Sequence, residues 1–101
     1  MKFGKDIVAL TRKLLIQRDS YFSNEVLNSE GRKIFEELSR MILDEHPYLK
    51  DRIRKVRRKG DLTSFIKLSE LILGEEEVKK IIMTTLQYPY TLRGLNVEPI
   101  Y

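Results

Sequence analysis

The chain has no cysteine and no tryptophan, a single histidine, three prolines and five glycines in 101 residues. Without cysteine there is no disulfide, no thiolate metal ligand and no thiol nucleophile. With His46 alone, a multi-histidine metal site or a histidine pair cannot form within one chain. The glycines are isolated and build no phosphate-cradling loop. No apolar run approaches the roughly 20 residues that span a bilayer. Asp6, Arg12 and Lys13 interrupt the apolar residues near the N-terminus, which argues against a signal-peptide core. These absences lead us to expect a cytoplasmic chain with no membrane, no metal and no cofactor. Glutamine is also scarce (Gln17 and Gln87), whereas Lys, Arg, Glu and Ile are plentiful, a bias that leans toward a heat-loving source.

What is present describes one folded domain. Hydrophobic residues make up 42% and charged residues 34% of the chain, enough apolar side chains for one modest core. Phe3, Ile7, Leu10 and Leu14 recur near a period of 3.6, so a helix is expected over 3–18, with Val8 and Leu15 widening its stripe. Asp19-Ser20 and Ser23-Asn24 read as loop, with Tyr21 and Phe22 plugging the core. A second helix starts near Asn24 or Ser29 and runs to Glu45, burying Ile34, Phe35, Leu38, Met41 and Ile42. Gly31 weakens its first turn.

Pro47 suits a helix start, so a third helix is expected over 47–58, stopped by Gly60. Asp61 is a natural N-cap for a fourth helix over 62–73, with Leu62, Phe65, Ile66, Leu71 and Ile72 inward and Gly74 as its stop. Glu75, Glu76 and Glu77 complement the dipole of a fifth helix that Pro89 closes. The fold class is therefore all-α. It is a compact bundle of about five short helices over 1–87, followed by an extended C-terminal arm over 88–101 that packs on the domain or on a partner.

Positive charge is concentrated in one place. Lys50, Arg52, Arg54, Lys55, Arg57, Arg58 and Lys59 face a single Asp51 within ten residues, a net of +6, although the whole chain is only +4. Leu49, Ile53 and Val56 share one stripe of the helix, so the cations spread over its other sides. Packing them together costs self-repulsion unless anions are near. The functional reading is nucleic-acid binding, with the seven cations neutralising a DNA or RNA backbone. About four to six engaged phosphates on a duplex would give a log–log salt slope of roughly −4 to −5. Changing Arg54, Arg57 and Arg58 to Ala would then weaken binding to all sequences alike and leave the fold intact. The plain alternative is a solvated face, or one paired with Glu36, Glu37, Asp44 or Glu45 of the preceding helix. An acidic protein partner is a further reading. Anionic lipid is disfavoured because the apolar seam carries no aromatic wedge.

Two motifs bear on this reading. LSELILGEEEVKKII has the outline of a helix-turn-helix, but a recognition helix presents its N-terminal residues to DNA. Here those would be Glu75, Glu76 and Glu77, the wrong sign for phosphates. The spacing Arg40-x5-His46 resembles the R-x(4–6)-H motif of HEPN-type helical ribonucleases, in which a dimer brings two such pairs together to cleave RNA. The match covers two residues of one motif, and Met41 stands where that family usually carries a polar residue. A solvent-facing His46 at a helix end, favoured by the dipole, is the preferred reading.

No carboxylate pair sits in an apolar setting that would split its pKa values. No nucleophile signature orders Ser, His and Asp. A non-enzymatic protein is expected. Tyr88, Tyr90 and Tyr101 in the arm suit a core cover, base stacking, or an interface with a protein partner or a second copy. That supports a competing class, an adaptor docking through its arm. Deleting 87–101 would abolish its partner capture and leave polyanion affinity unchanged.

Overall fold

The computed structural model describes residues 2–85, so the arm with Tyr88, Tyr90 and Tyr101, and the helix stop at Pro89, lie outside the described residues. Among these the chain is all-α apart from one tiny hairpin. Its elements are α1 (Lys5–Ile16), α2 (Arg18–Tyr21), β1 (Phe22–Ser23), β2 (Val26–Leu27), α3 (Ser29–Glu45), a 3-10 turn (Pro47–Leu49), α4 (Lys50–Lys59), α5 (Leu62–Leu73) and α6 (Glu75–Thr85). The helix count is six rather than five, because Asp19 and Ser20 form a single helical turn and not a loop.

The core joins Ile7, Leu14 and Leu15 of α1 to Phe35, Leu38 and Ile42 of α3, Phe65 and Leu68 of α5, and Val78 of α6. Leu49, Ile53 and Val56 close it on the α4 side, as their stripe requires. Leu68 is fully buried although the apolar periodicity had favoured Ile66 and Leu71, which are half-buried. Thr11 and Ser69 are also buried, and each hydroxyl donates to the carbonyl four residues earlier, Ile7 and Phe65. That local bond lets a small polar side chain sit inside a helix pair.

The hairpin is the main surprise. Phe22 pairs with Leu27 and Ser23 with Val26, across a two-residue turn in which Asn24 (φ 53) and Glu25 (φ 65) are both left-handed. Such turns match strand twist but favour Asn-Gly, so glutamate in the second place hides the signal. The hairpin fastens the α4–α5 junction: Leu27 N–H donates to the Gly60 carbonyl and Leu62 N–H to the Glu25 carbonyl, both at 2.8 Å. Gly60 (φ 64) ends α4 in the left-handed conformation. Asp61 then caps α5, accepting from Ser64 N–H. One residue pair therefore turns the chain between two helices and fixes their angle.

α1 packs chiefly on α3, α5 and α6. Arg12 of α1 makes a two-point ion pair with Glu77 of α6. The third glutamate of the acidic run thus reaches across to another helix as well as complementing its own dipole. α4 packs chiefly on α5 and the 3-10 turn, and this peripheral position leaves most of its circumference in solvent.

Candidate phosphate-binding groove

The seven cations lie on α4 and are exposed, but they do not share one face. At about 100° per residue, Arg52, Lys55 and Lys59 fall on one flank of the buried Leu49–Ile53–Val56 stripe. Lys50, Arg54 and Arg57 fall on the other, and Arg58 points outward. The packing gives the two flanks different neighbours. On the second flank Arg57 Nε meets Glu36 Oε2 of α3 at 2.9 Å, and Arg54 lies 3.9 Å from Asp51. Pairing by the preceding helix thus occurs, at one position. No carboxylate comes within 4 Å of Lys50, Arg52, Lys55, Arg58 or Lys59 among the described residues.

On the first flank runs a groove of about 540 Å³, bounded by α4, the first half of α5 and the 3-10 turn. Arg52, Lys55 and Lys59 line one wall, and Lys67 of α5 lines the other. Asp51 is the only carboxylate in the lining, and Leu49, Val56 and Leu68 form an apolar floor. Arg52 to Lys59 spans seven residues, about 10 Å along the helix. Tyr48 stands at the end where α4 begins, and Ser64 near the end where α5 begins. Four cations around a narrow trough produce a focused positive potential, stronger than the same charges spread over a convex surface.

Lys67, Tyr48 and Ser64 were not among the residues the sequence singled out. Tyr48 carried a usable signal: positions 48, 52, 55 and 59 are spaced four, three and four apart and so form one helical stripe. Lys67 is a lone cation on α5 and gave none, since only the packing of α5 on α4 brings it opposite Lys55.

His46 is not solvent-facing. Its side chain is 14% exposed; Phe3 packs on it at 4.5 Å and Tyr48 meets it edge-on at 5.7 Å. Nε2 lies 2.9 Å from the Lys2 carbonyl and Nδ1 3.2 Å from the Tyr48 hydroxyl. A carbonyl only accepts, so Nε2 carries the proton and Tyr48 O–H donates to Nδ1 in the neutral ring. Both nitrogens are engaged in holding Phe3 and Tyr48, which gives the ring a structural task at the α3–α4 corner. Arg40 is exposed on α3.

Two carboxyls titrate below their ordinary range. Hydrogen bonding from Arg12 depresses Glu77, with the guanidinium charge adding to it. Hydrogen bonding with the Ser64 side chain, and then with its backbone amide, depresses Asp61, and Lys59 contributes its charge. The unfolded chain therefore binds more protons than the folded one across the carboxylate range, so stability rises with pH there. Melting temperature is expected to hold above about pH 5 and to fall as pH drops through the ordinary carboxylate range, about 4, toward the depressed folded values. Thermal unfolding followed by circular dichroism at stepped pH reads this, and Glu77→Gln should flatten the profile.

Among the described residues no helix is long and apolar enough to cross a membrane, and no group of three or more His, Cys, Asp or Glu is placed to hold a metal ion. Comparison with protein-family models, with curated proteins and with solved structures finds no match to this chain.

Proposed function

We propose that the protein binds nucleic acid by seating a sugar–phosphate backbone in the α4–α5 groove, with Arg52, Lys55, Lys59 and Lys67 as phosphate ligands. The observation that supports this most is the presence of cations on both walls of one trough, with Asp51 as its single acid. Contacts of this kind position a protein on nucleic acid without reading its sequence. Arginine adds a planar fork that can take two phosphate oxygens at once, and the lysines act as point charges.

Lys50, Arg54 and Arg58 add long-range attraction, whereas Arg57 is tied to Glu36. The number of engaged phosphates is therefore nearer four than seven. Anisotropy titration of a labelled oligonucleotide at stepped salt is expected to give a log–log slope of about −3. A flat salt response would end the reading, as would equal affinity for polyglutamate, whose charges are not carried on a sugar–phosphate backbone.

A further inference from the structure

Tyr48 is 65% exposed, the most exposed large hydrophobic side chain among the described residues. It contributes almost nothing to the core. Its position is nevertheless held by one neighbour, His46, through two contacts: the Tyr48 hydroxyl donates to Nδ1, and the two rings meet at 86°. His46 is in turn anchored by the Lys2 carbonyl and packed by Phe3. The result is a propped aromatic ring at the end of the basic groove, in line with Arg52, Lys55 and Lys59. A surface tyrosine without a task is free to sample rotamers and solvate its hydroxyl. This one is oriented before any ligand arrives.

We infer that the groove selects single-stranded nucleic acid, with a base stacked on Tyr48 while the phosphates on one side of that base run between Arg52, Lys55, Lys59 and Lys67. The inference rests on the phosphate-binding reading above and adds the strand class. Two features point to it. A paired base is already stacked on both faces and offers none to a protein ring, whereas an unpaired base has a free face. The alkyl stems of Lys55, Lys59 and Lys67 on the groove walls suit the apolar faces of bases, which a single strand exposes and a duplex hides.

The test compares a labelled oligothymidylate with a duplex of equal length, using the full chain and the variants Tyr48→Ala and Tyr48→Phe, each checked for native helicity. The unmodified chain is expected to bind the single strand at least about tenfold more tightly than the duplex. Tyr48→Ala should lower single-strand affinity about tenfold, with the salt slope and the duplex affinity unchanged, since no phosphate contact is removed. Tyr48→Phe keeps the stacking face but loses the hydroxyl bond to His46, and should lose clearly less single-strand affinity than Tyr48→Ala. Equal or tighter duplex binding overturns the inference and leaves the phosphate-binding reading standing. So does an unchanged affinity in Tyr48→Ala, or a loss in Tyr48→Phe as large as that in Tyr48→Ala. Binding of neither nucleic acid overturns both.

Discussion

Replacing Arg52, Lys55, Lys59 and Lys67 together by alanine is expected to lower oligonucleotide affinity at least about a hundredfold at low salt and to flatten the salt slope from about −3 toward −1. The matched control replaces Lys50, Arg54 and Arg57 on the opposite flank, and should change affinity by no more than a few-fold. Three of the four groove cations share α4 with the control set, the fourth lies on α5, and the sets differ by one charge, so the contrast separates a groove from a general positive field. The groove variant is also expected to melt no lower than the parent at low salt. Arg52, Lys55 and Lys59 are like charges one helical turn apart and destabilise α4 slightly, and alanine is the better helix former. A bound anion in the trough would relieve this repulsion. Anisotropy and thermal unfolding on the same preparations check both halves. Equal losses from the two sets would mean that no groove is used.

Gly31→Ala is expected to destabilise the fold by about 3 kcal/mol, a large share of the 5–15 kcal/mol typical of a small domain. Gly31 is buried in the first turn of α3, and Asn28 caps that turn by accepting its N–H at 2.8 Å. A Cβ there would stand 2.2 Å from the Tyr21 carbonyl oxygen and 2.8 Å from Leu27 Cδ2. The carbonyl belongs to backbone that is itself bonded, since Asn28 N–H donates to it at 3.0 Å, so it cannot swing aside cheaply. The helix-propensity gain of alanine over glycine, about 0.5–1 kcal/mol, does not offset the displacement of α3 from the hairpin. Because the hairpin fastens the α4–α5 junction, the damage reaches the groove. Urea unfolding measures it. A midpoint that rises would show that alanine is accommodated without displacing the hairpin.

The same residue shows where sequence reasoning stops. Gly31 reads as a defect in a helix when only local propensity is considered; its purpose is the close approach of a segment ten residues earlier. The bounds of α5 were legible because Asp61 and Gly74 punctuate both ends, one through a side-chain cap and one through a positive φ of 93°. The hairpin was illegible because Glu25 occupies a left-handed position that usually holds glycine. The buried stripe of α4 followed from spacing alone, and that stripe already implied two flanks. Which flank meets acids and which meets a lysine was not in the pattern. Glu36 on one side and Lys67 on the other are supplied by α3 and α5, and their placement depends on the helix angles set at the His46–Pro47 corner and at Gly60–Asp61. Charge clusters are visible in sequence, but their division into a paired flank and an open trough is tertiary.

The central claim is that the α4–α5 trough, and not the charged helix as a whole, is the binding surface. The most direct measurement is an amide chemical-shift map of the isotopically labelled chain during titration with an unlabelled oligothymidylate. The account predicts the largest shifts at Tyr48, Arg52, Lys55, Lys59, Ser64 and Lys67, saturating together as salt-sensitive binding proceeds, with Arg54 and Arg57 moving little. Shifts centred on the Arg54–Arg57 flank against α3, or on α1 and α6, would contradict it.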